Sequence, residues 1–340
     1  MRTGLLYIVL AIGLYVSFSA FTAPDKWGDD TPLAQVLYSM GKEKPAHYIE
    51  VVDSMKAEMG REIVLTGRTT GPNGRKSKYV SKYFVCTDCH NQVREDPLLP
   101  ESNPESRLDY SEQNDLPFLQ ATTFWGIVNR EGWYNNDYYL KYGEDVKKAN
   151  SDLGEATQLC AVECSSGRPL EDWELEAIMH YYWTLQLTMG DLDLEEMEWR
   201  KIRKFAGSEI DRHVVVDLLD KKYLRFSPAH FGDVPEDKSK GYPVKKSGDA
   251  TKGKMIYDRS CLHCHRQYGP SQLILDDSKF TMNKFKRHLE KSTDFNLYQI
   301  IRKGTHAEAG HQQYMPHFPL ERMSDQQVED LRSYILSISE

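Results

Sequence analysis

The sequence predicts a mainly α fold: two small helical units in tandem, preceded by an N-terminal helical extension. Three observations predict it. The pattern Cys-x-x-Cys-His occurs twice, at Cys86–His90 and at Cys261–His265. Each copy is followed by a unit that ends in an apolar helical repeat, Glu171 to Leu187 in the first and Ser324 onward in the second. The chain has 340 residues with 40% hydrophobic content, enough for two or three domains with cores of their own.

The repeated motif carries chemistry. Two thiols three residues apart reach the two vinyl groups of one porphyrin and form thioethers, and the adjacent histidine meets the iron. Two copies imply two covalently bound haem c groups. Cys86, Cys89 and His90 would hold haem 1; Cys261, Cys264 and His265 would hold haem 2. A zinc site would want a second ligand pair at short spacing, and neither copy has one. A thiol redox motif would not need the following histidine twice. The net charge of −8 argues against nucleic acid as a partner, since phosphate contacts need clustered Lys and Arg. An acidic balance suits docking to a basic redox protein, and equally well plain solubility.

Residues 1–23 read as a signal peptide or a membrane anchor. Arg2 precedes an apolar run from Gly4 to Val16, and small residues follow through Ala23. Cleavage is expected between Ser19 and Ala23; the rival is an uncleaved anchor over residues 4–21. Either reading exports the chain, so a periplasmic location is expected, with membrane contact only through that segment. Residues 24–77 form the extension. Leu33, Val36, Leu37 and Met40 follow a helical rhythm, as do Ile49, Val52 and Met55; Gly60 and the glycine-rich stretch 66–75 mark turns. His47 is expected to be a surface or packing residue rather than a ligand.

The first haem unit spans 78–188. A polar, Pro-rich loop is expected over 91–117, then apolar helical spacing from Phe118 to Asn135, a Tyr-rich stretch from Tyr134 to Tyr142, and the closing helix. No Met-Pro element lies between His90 and Leu187. Met179 and His180 fall inside the closing helix, the wrong place for a loop-borne ligand. Cys160 and Cys164 stand just ahead of that helix instead. Three readings are open for them: a thiolate on iron, a Cys160–Cys164 disulfide, or buried free thiols.

The stretch Gln158-Leu-Cys160-Ala-Val-Glu-Cys164-Ser-Ser-Gly167-Arg-Pro-Leu170 resembles the thiosulfate dehydrogenases and the dihaem subunit of the Sox sulfur-oxidation complex. The resemblance implies that Cys160 ligates haem 1 opposite His90. It also implies a catalytic role for Cys160 if a sulfur anion is the substrate. The sequence departs from the pattern in three places. Cys164 has no counterpart, the loop after His90 is longer, and Leu159 stands where those enzymes bring basic residues.

Residues 189–247 form a charged linker. Helical runs are expected over Asp191–Lys204 and Ile210–Lys222, and then Pro228 and Pro235 mark an extended boundary. Their charges are expected on solvated faces. The second haem unit, 248–340, resembles class I cytochrome c. The residues carrying the likeness are Gly253 and Tyr257 one turn apart, the motif at Cys261, the turn at Gly269-Pro270, and a middle helix over Asn296–Gly304. They end with Tyr314-Met315-Pro316-His317-Phe318 and the closing helix. Ser324 and Gln327 have the spacing of a capping box. Met315 is the expected sixth ligand of haem 2, with Met323 the competitor. His263, His306, His311 and His317 are expected at the surface.

The fold expected is then two cytochrome c-like haem domains in tandem. Cysteinate would give haem 1 a low potential, and methionine would give haem 2 a higher one. The function that follows is a dihaem c-type cytochrome passing electrons from haem 1 to haem 2. The partner would be a redox protein or respiratory complex. The alternative is a sulfur-anion oxidoreductase using the Cys160-ligated haem, with Arg130 and Arg168 as candidate anion-binding residues. Nothing marks a peroxidase.

Overall fold

The computed structural model of the chain describes residues 27–206, 210–291, 295–305 and 315–339. Among the described residues there are helices, turns and two isolated bridges but no strand, so the mainly α expectation holds. None of the described helices is long and apolar enough to cross a membrane. The expected signal or anchor segment lies outside the described residues, as do His306 and His311.

In the extension, α1 (Leu33–Ser39) forms where the apolar rhythm placed it and buries Leu33, Val36 and Leu37. The rhythm at Ile49 and Val52 is not helical. α2 (Ser54–Thr66) begins only after Asp53, whose carboxylate caps the Met55 and Lys56 N–H groups. Gly60, expected in a turn, sits in the middle of α2. A Cβ there would lie 2.1 Å from the Ala177 carbonyl oxygen, so glycine is what lets α2 cross the closing helix closely.

The loop after His90 contains a helix that the sequence reading did not expect, α3 (Pro104–Gln113). Asn103 caps it and proline opens it. Phe118 to Asn135, by contrast, is not a helix apart from one tight turn at Ile127–Asn129. Gly126 takes φ +73° there, and the backbone N–H groups reach other parts of the chain. Phe118 N donates to Arg259 O, Phe124 N to Asn91 O and Gly126 N to Leu185 O. The apolar spacing there reflects burial from several sides rather than one helical face.

The unit continues through α4 (Asn136–Tyr142), α5 (Val146–Ala149) and α6 (Leu153–Leu159), which widens into a π-turn at Cys160–Cys164. It closes with α7 (Asp172–Thr184), where Glu171 and Glu174 cap each other's N–H groups. In the linker, α8 (Glu196–Ala206) and α9 (Arg212–Leu219) match the two expected runs. They are more than solvated faces: Ile202, Val215 and Leu219 pack with Trp27, Leu33, Val36 and Leu37 of the extension.

The second unit opens with α10 (Ala250–Ile256), capped by Asp249. It runs through a π-turn at Tyr257–Cys261 into α11 (Leu262–His265). The helix α12 (Lys279–Glu290) was not expected. α13 (Leu297–Lys303) is the middle helix, capped by Asn296 and ended by Gly304 at φ +72°. In α14 (Asp325–Ser339), Ser324 N donates to Gln327 Oε1 at 3.0 Å and Gln327 N donates to Ser324 Oγ at 3.1 Å, the expected capping box.

Both units share one plan. α10 crosses α14 as α2 crosses α7, again at a glycine: a Cβ on Gly253 would lie 2.0 Å from the Asp330 carbonyl oxygen. The extension thus supplies the helix on which the first unit closes. The 91–118 segment ties the units together. Its Leu108 and Phe118 are buried in the core of the second unit. Arg322 of the second unit pairs with Glu95 through both carboxylate oxygens, at 2.8 and 3.0 Å.

Candidate haem sites

The first motif begins in a tight turn, Cys86–Asp88, stabilised because Asp88 accepts the Val85 N–H at 2.8 Å. That turn sends Cys86, Cys89 and His90 into one cavity. Phe124, Ile127, Leu153, Ala156, Ile178 and Tyr182 give it apolar walls. Its non-atom space is about 1440 Å³ including the open mouth. His90 stacks on Phe124 with ring centroids 4.4 Å apart. Its Nδ1 lies 2.6 Å from the Thr122 carbonyl oxygen. A carbonyl only accepts, so the proton is on Nδ1 and Nε2 keeps its lone pair. Burial lowers the ring's pKa to about 4, which keeps it neutral. A neutral imidazole held by a backbone carbonyl is the form that ligates iron.

Cys160 and Cys164 line the same cavity. All six cysteines are free thiols, so the disulfide reading is not what the structure has. The π-turn places the pair side by side, with Ser165 N reaching back to Cys160 O at 2.9 Å. Cys160 hydrogen-bonds to Cys164, and that bond, with burial behind it, holds Cys160 protonated. Cys164 is lowered to about 7, first by the same bond, against burial, and then by the Tyr142 and Tyr134 hydroxyls. Those hydroxyls lie 3.6 and 3.8 Å from its sulfur. Gly167 makes the turn possible. A Cβ there would lie 2.4 Å from Val80 O and 2.6 Å from Ala161 O.

Of the two candidate anion-binding arginines, only Arg130 lines the cavity, hydrogen-bonded to Thr122 Oγ1 at 3.3 Å. Its guanidinium in that wall would suit a haem propionate. Arg168 is a structural residue: its guanidinium holds both oxygens of the buried Glu174 at 2.6 and 2.7 Å. His47 packs as expected, against Val128 O and the Trp133 ring. Met179 and His180 are on α7, and His180 Nδ1 accepts the Asp53 N–H.

In the second unit, Cys261, Cys264 and His265 lie on one helical run. His265 Nδ1 is 2.8 Å from the Leu273 carbonyl oxygen, the same anchoring as His90. Leu273 and Ile274 beside it are exposed apolar residues, a face that a porphyrin would cover. Met315 is tied to the end of α13: its N–H donates to Thr305 Oγ1 at 2.7 Å, and its carbonyl accepts the Thr305 N–H at 2.9 Å. Met323 is buried in the core, with its carbonyl held by Arg302. Burial pushes the Cys86, Cys261 and Cys264 thiols up to about 12, so all three are neutral thiols before thioether formation.

The two motifs meet. Cys264 Sγ lies 3.9 Å from Asp88 O, and His263 bonds to the Thr87 backbone. His263, expected at the surface, is therefore a contact between units. His317 is also not a surface residue. It is buried, and it lines the first unit's cavity although it follows Met315 of the second. The sequence reading also missed Tyr134, Tyr138, Tyr142 and Lys141. The first three, four residues apart, were visible as one face of a turn, but nothing in the sequence said what they faced.

Residues 248–335 match the family described as Cytochrome C oxidase, cbb3-type, subunit III. No curated protein and no solved structure matches the chain. The matched segment contains the second motif, the middle helix and Met315. The chain carries a c-type cytochrome domain, and with it covalently bound haem c and a redox partner: it is an electron-transfer haem protein.

Proposed function

We propose that the chain is a dihaem c-type cytochrome. It would carry electrons from haem 1, ligated by His90 and Cys160, to haem 2, ligated by His265 and Met315, and on to a redox protein outside the cytoplasm. The observation that carries this reading is the contact between the motifs, Cys264 Sγ against Asp88 O at 3.9 Å. Groups bound to these cysteines would sit across a shared interface. Haem supplies one-electron chemistry, and the chain's part is to fix its ligands and exclude water. Thr122 and Leu273 fix the two histidines through their carbonyls.

Low-temperature EPR of the oxidised protein tests the ligation. A low-spin thiolate signal is expected in the wild type and in Cys164→Ala, and is expected to vanish in Cys160→Ala. Loss in Cys164→Ala alone would move the ligand to Cys164. Absence from the wild type would remove thiolate ligation altogether. A haemochrome assay should count two haems per chain, falling to one in the Cys86→Ala/Cys89→Ala variant.

The cavity favours a second reading, a sulfur-anion oxidoreductase. Two free thiols share it with Tyr134 and Tyr142, whose hydroxyls point at Cys164. A thiosulfate turnover assay separates the two: a plain carrier would show none.

A further inference from the structure

Part of the cavity wall in the first unit carries polar groups that electron transfer leaves unused. Tyr134 and Tyr138 line it beside Cys164, and His317 reaches it from the second unit. Lys141 Nζ lies 2.8 Å from His317 Nδ1. An ammonium only donates, so Nδ1 accepts and the ring proton is on Nε2. That Nε2 is buried and has no hydrogen-bond partner, in a residue only 7% exposed. A buried donor without an acceptor is costly and rare enough to call for a reason.

The ring is held in place. Phe231 meets it edge-on with centroids 4.5 Å apart, and Tyr138 packs against Phe231 at 4.8 Å. The Tyr134 hydroxyl lies 3.8 Å from the Cys164 sulfur. Among the described residues one carboxylate lines the cavity, Glu321, and its Oε2 accepts the His230 N–H at 3.0 Å. The half-buried ammonium of Lys141 beside His317, an imidazole N–H and phenol hydroxyls together suit a compact anion with several acceptor oxygens.

We infer that Lys141, His317 and the neighbouring Tyr134 and Tyr138 hydroxyls form a subsite for a small tetrahedral oxyanion beside Cys164, built jointly by the two units. It deepens the sulfur-anion reading, and rests on that reading only for the choice of probe. His317 stands two residues after Met315, so an anion held here touches the segment that carries the second unit's proposed ligand.

The test is calorimetric titration of the haem-loaded full-length protein with thiosulfate and, separately, sulfate, beside Lys141→Met and His317→Phe. Thiosulfate turnover is measured in parallel, and the haem optical spectrum checks folding. Should His317→Phe not fold, His317→Gln takes its place. One site per chain is expected, with affinity down about tenfold or more in each variant. No saturable binding to the wild type would overturn the subsite; that is the result expected if a haem carboxylate is the acceptor for His317. Affinity unchanged to within about twofold in both variants would also overturn it. Binding lost in the variants without any turnover upholds the subsite and sinks the sulfur-anion reading. Turnover with binding unaltered by the variants does the reverse.

Discussion

His90 and His265 each give Nδ1 to a backbone carbonyl, at 2.6 and 2.8 Å, and so each arrives as a preset ligand. These residues were legible in the sequence because thioether and iron chemistry demands that they be adjacent. Lys141 and His317 were not legible, since 176 residues separate them and only the docking of the units joins them. Cys164 was visible as a leftover thiol, yet its two tyrosine donors were not. Asp96 shows a residue that works against stability. Burial pushes its carboxyl up to about 6, with the nearby Arg107 and Arg322 only partly offsetting this, and its Oδ1 has no partner. A carboxyl raised in the folded state contributes stability below its unfolded pKa and loses it as pH rises through the folded one. Asp96→Asn should therefore raise the melting temperature at pH 8, by about 1–3 kcal/mol of stability, and change little at pH 4. An equal shift at both pH values would mean that the carboxyl is not the source.

At the scale of helices, the crossings α2 on α7 and α10 on α14 are decided by single glycines. Helix propensity alone favours Gly60→Ala by about 1 kcal/mol. The Cβ, however, would lie 2.1 Å from Ala177 O and 2.5 Å from its carbonyl carbon, and backbone atoms cannot swing away. Overpacking of that kind costs about 1–3 kcal/mol or more, so the clash wins. Gly60→Ala and Gly253→Ala should both lower thermal stability. A melting scan showing either variant at or above wild type would refute the crossing. The same packing explains which elements the sequence revealed. α7 and α14 carried long apolar repeats, α14 with a readable capping box as well, and both formed as expected. α3 was hidden because its one apolar buried residue, Leu108, serves the other unit's core. The false helix at Phe118–Asn135 arose because residues buried from several directions mimic one apolar face.

At the scale of the whole molecule the 91–118 segment is one of the ties between the units, and it carries the buried pair Glu95–Arg322. Asn91 Nδ2 also donates to Glu95, at 2.8 Å, and the Thr123 N–H does so at 2.8 Å, so the carboxylate is fully engaged. Truncating one partner leaves the other charged and buried, which costs about 3–5 kcal/mol. Glu95→Ala should therefore loosen the two units, read as earlier proteolysis between them with the haem spectrum of each intact. The pH dependence follows from the same pair. Burial alone would raise Glu95, but the Arg322 guanidinium outweighs it and holds the carboxyl at about 2. A carboxyl depressed in the folded state contributes stability above its unfolded pKa, near 4.5. That stability is lost as pH falls toward the folded value. The docking should stand undiminished at pH 5 and fail progressively between there and pH 2. Glu95→Gln, neutral throughout, should be less stable at pH 7 but lose much less over that acid range. Acid titrations of the two proteins, followed by protease sensitivity at the junction, decide it: parallel curves would show that another group controls the joint.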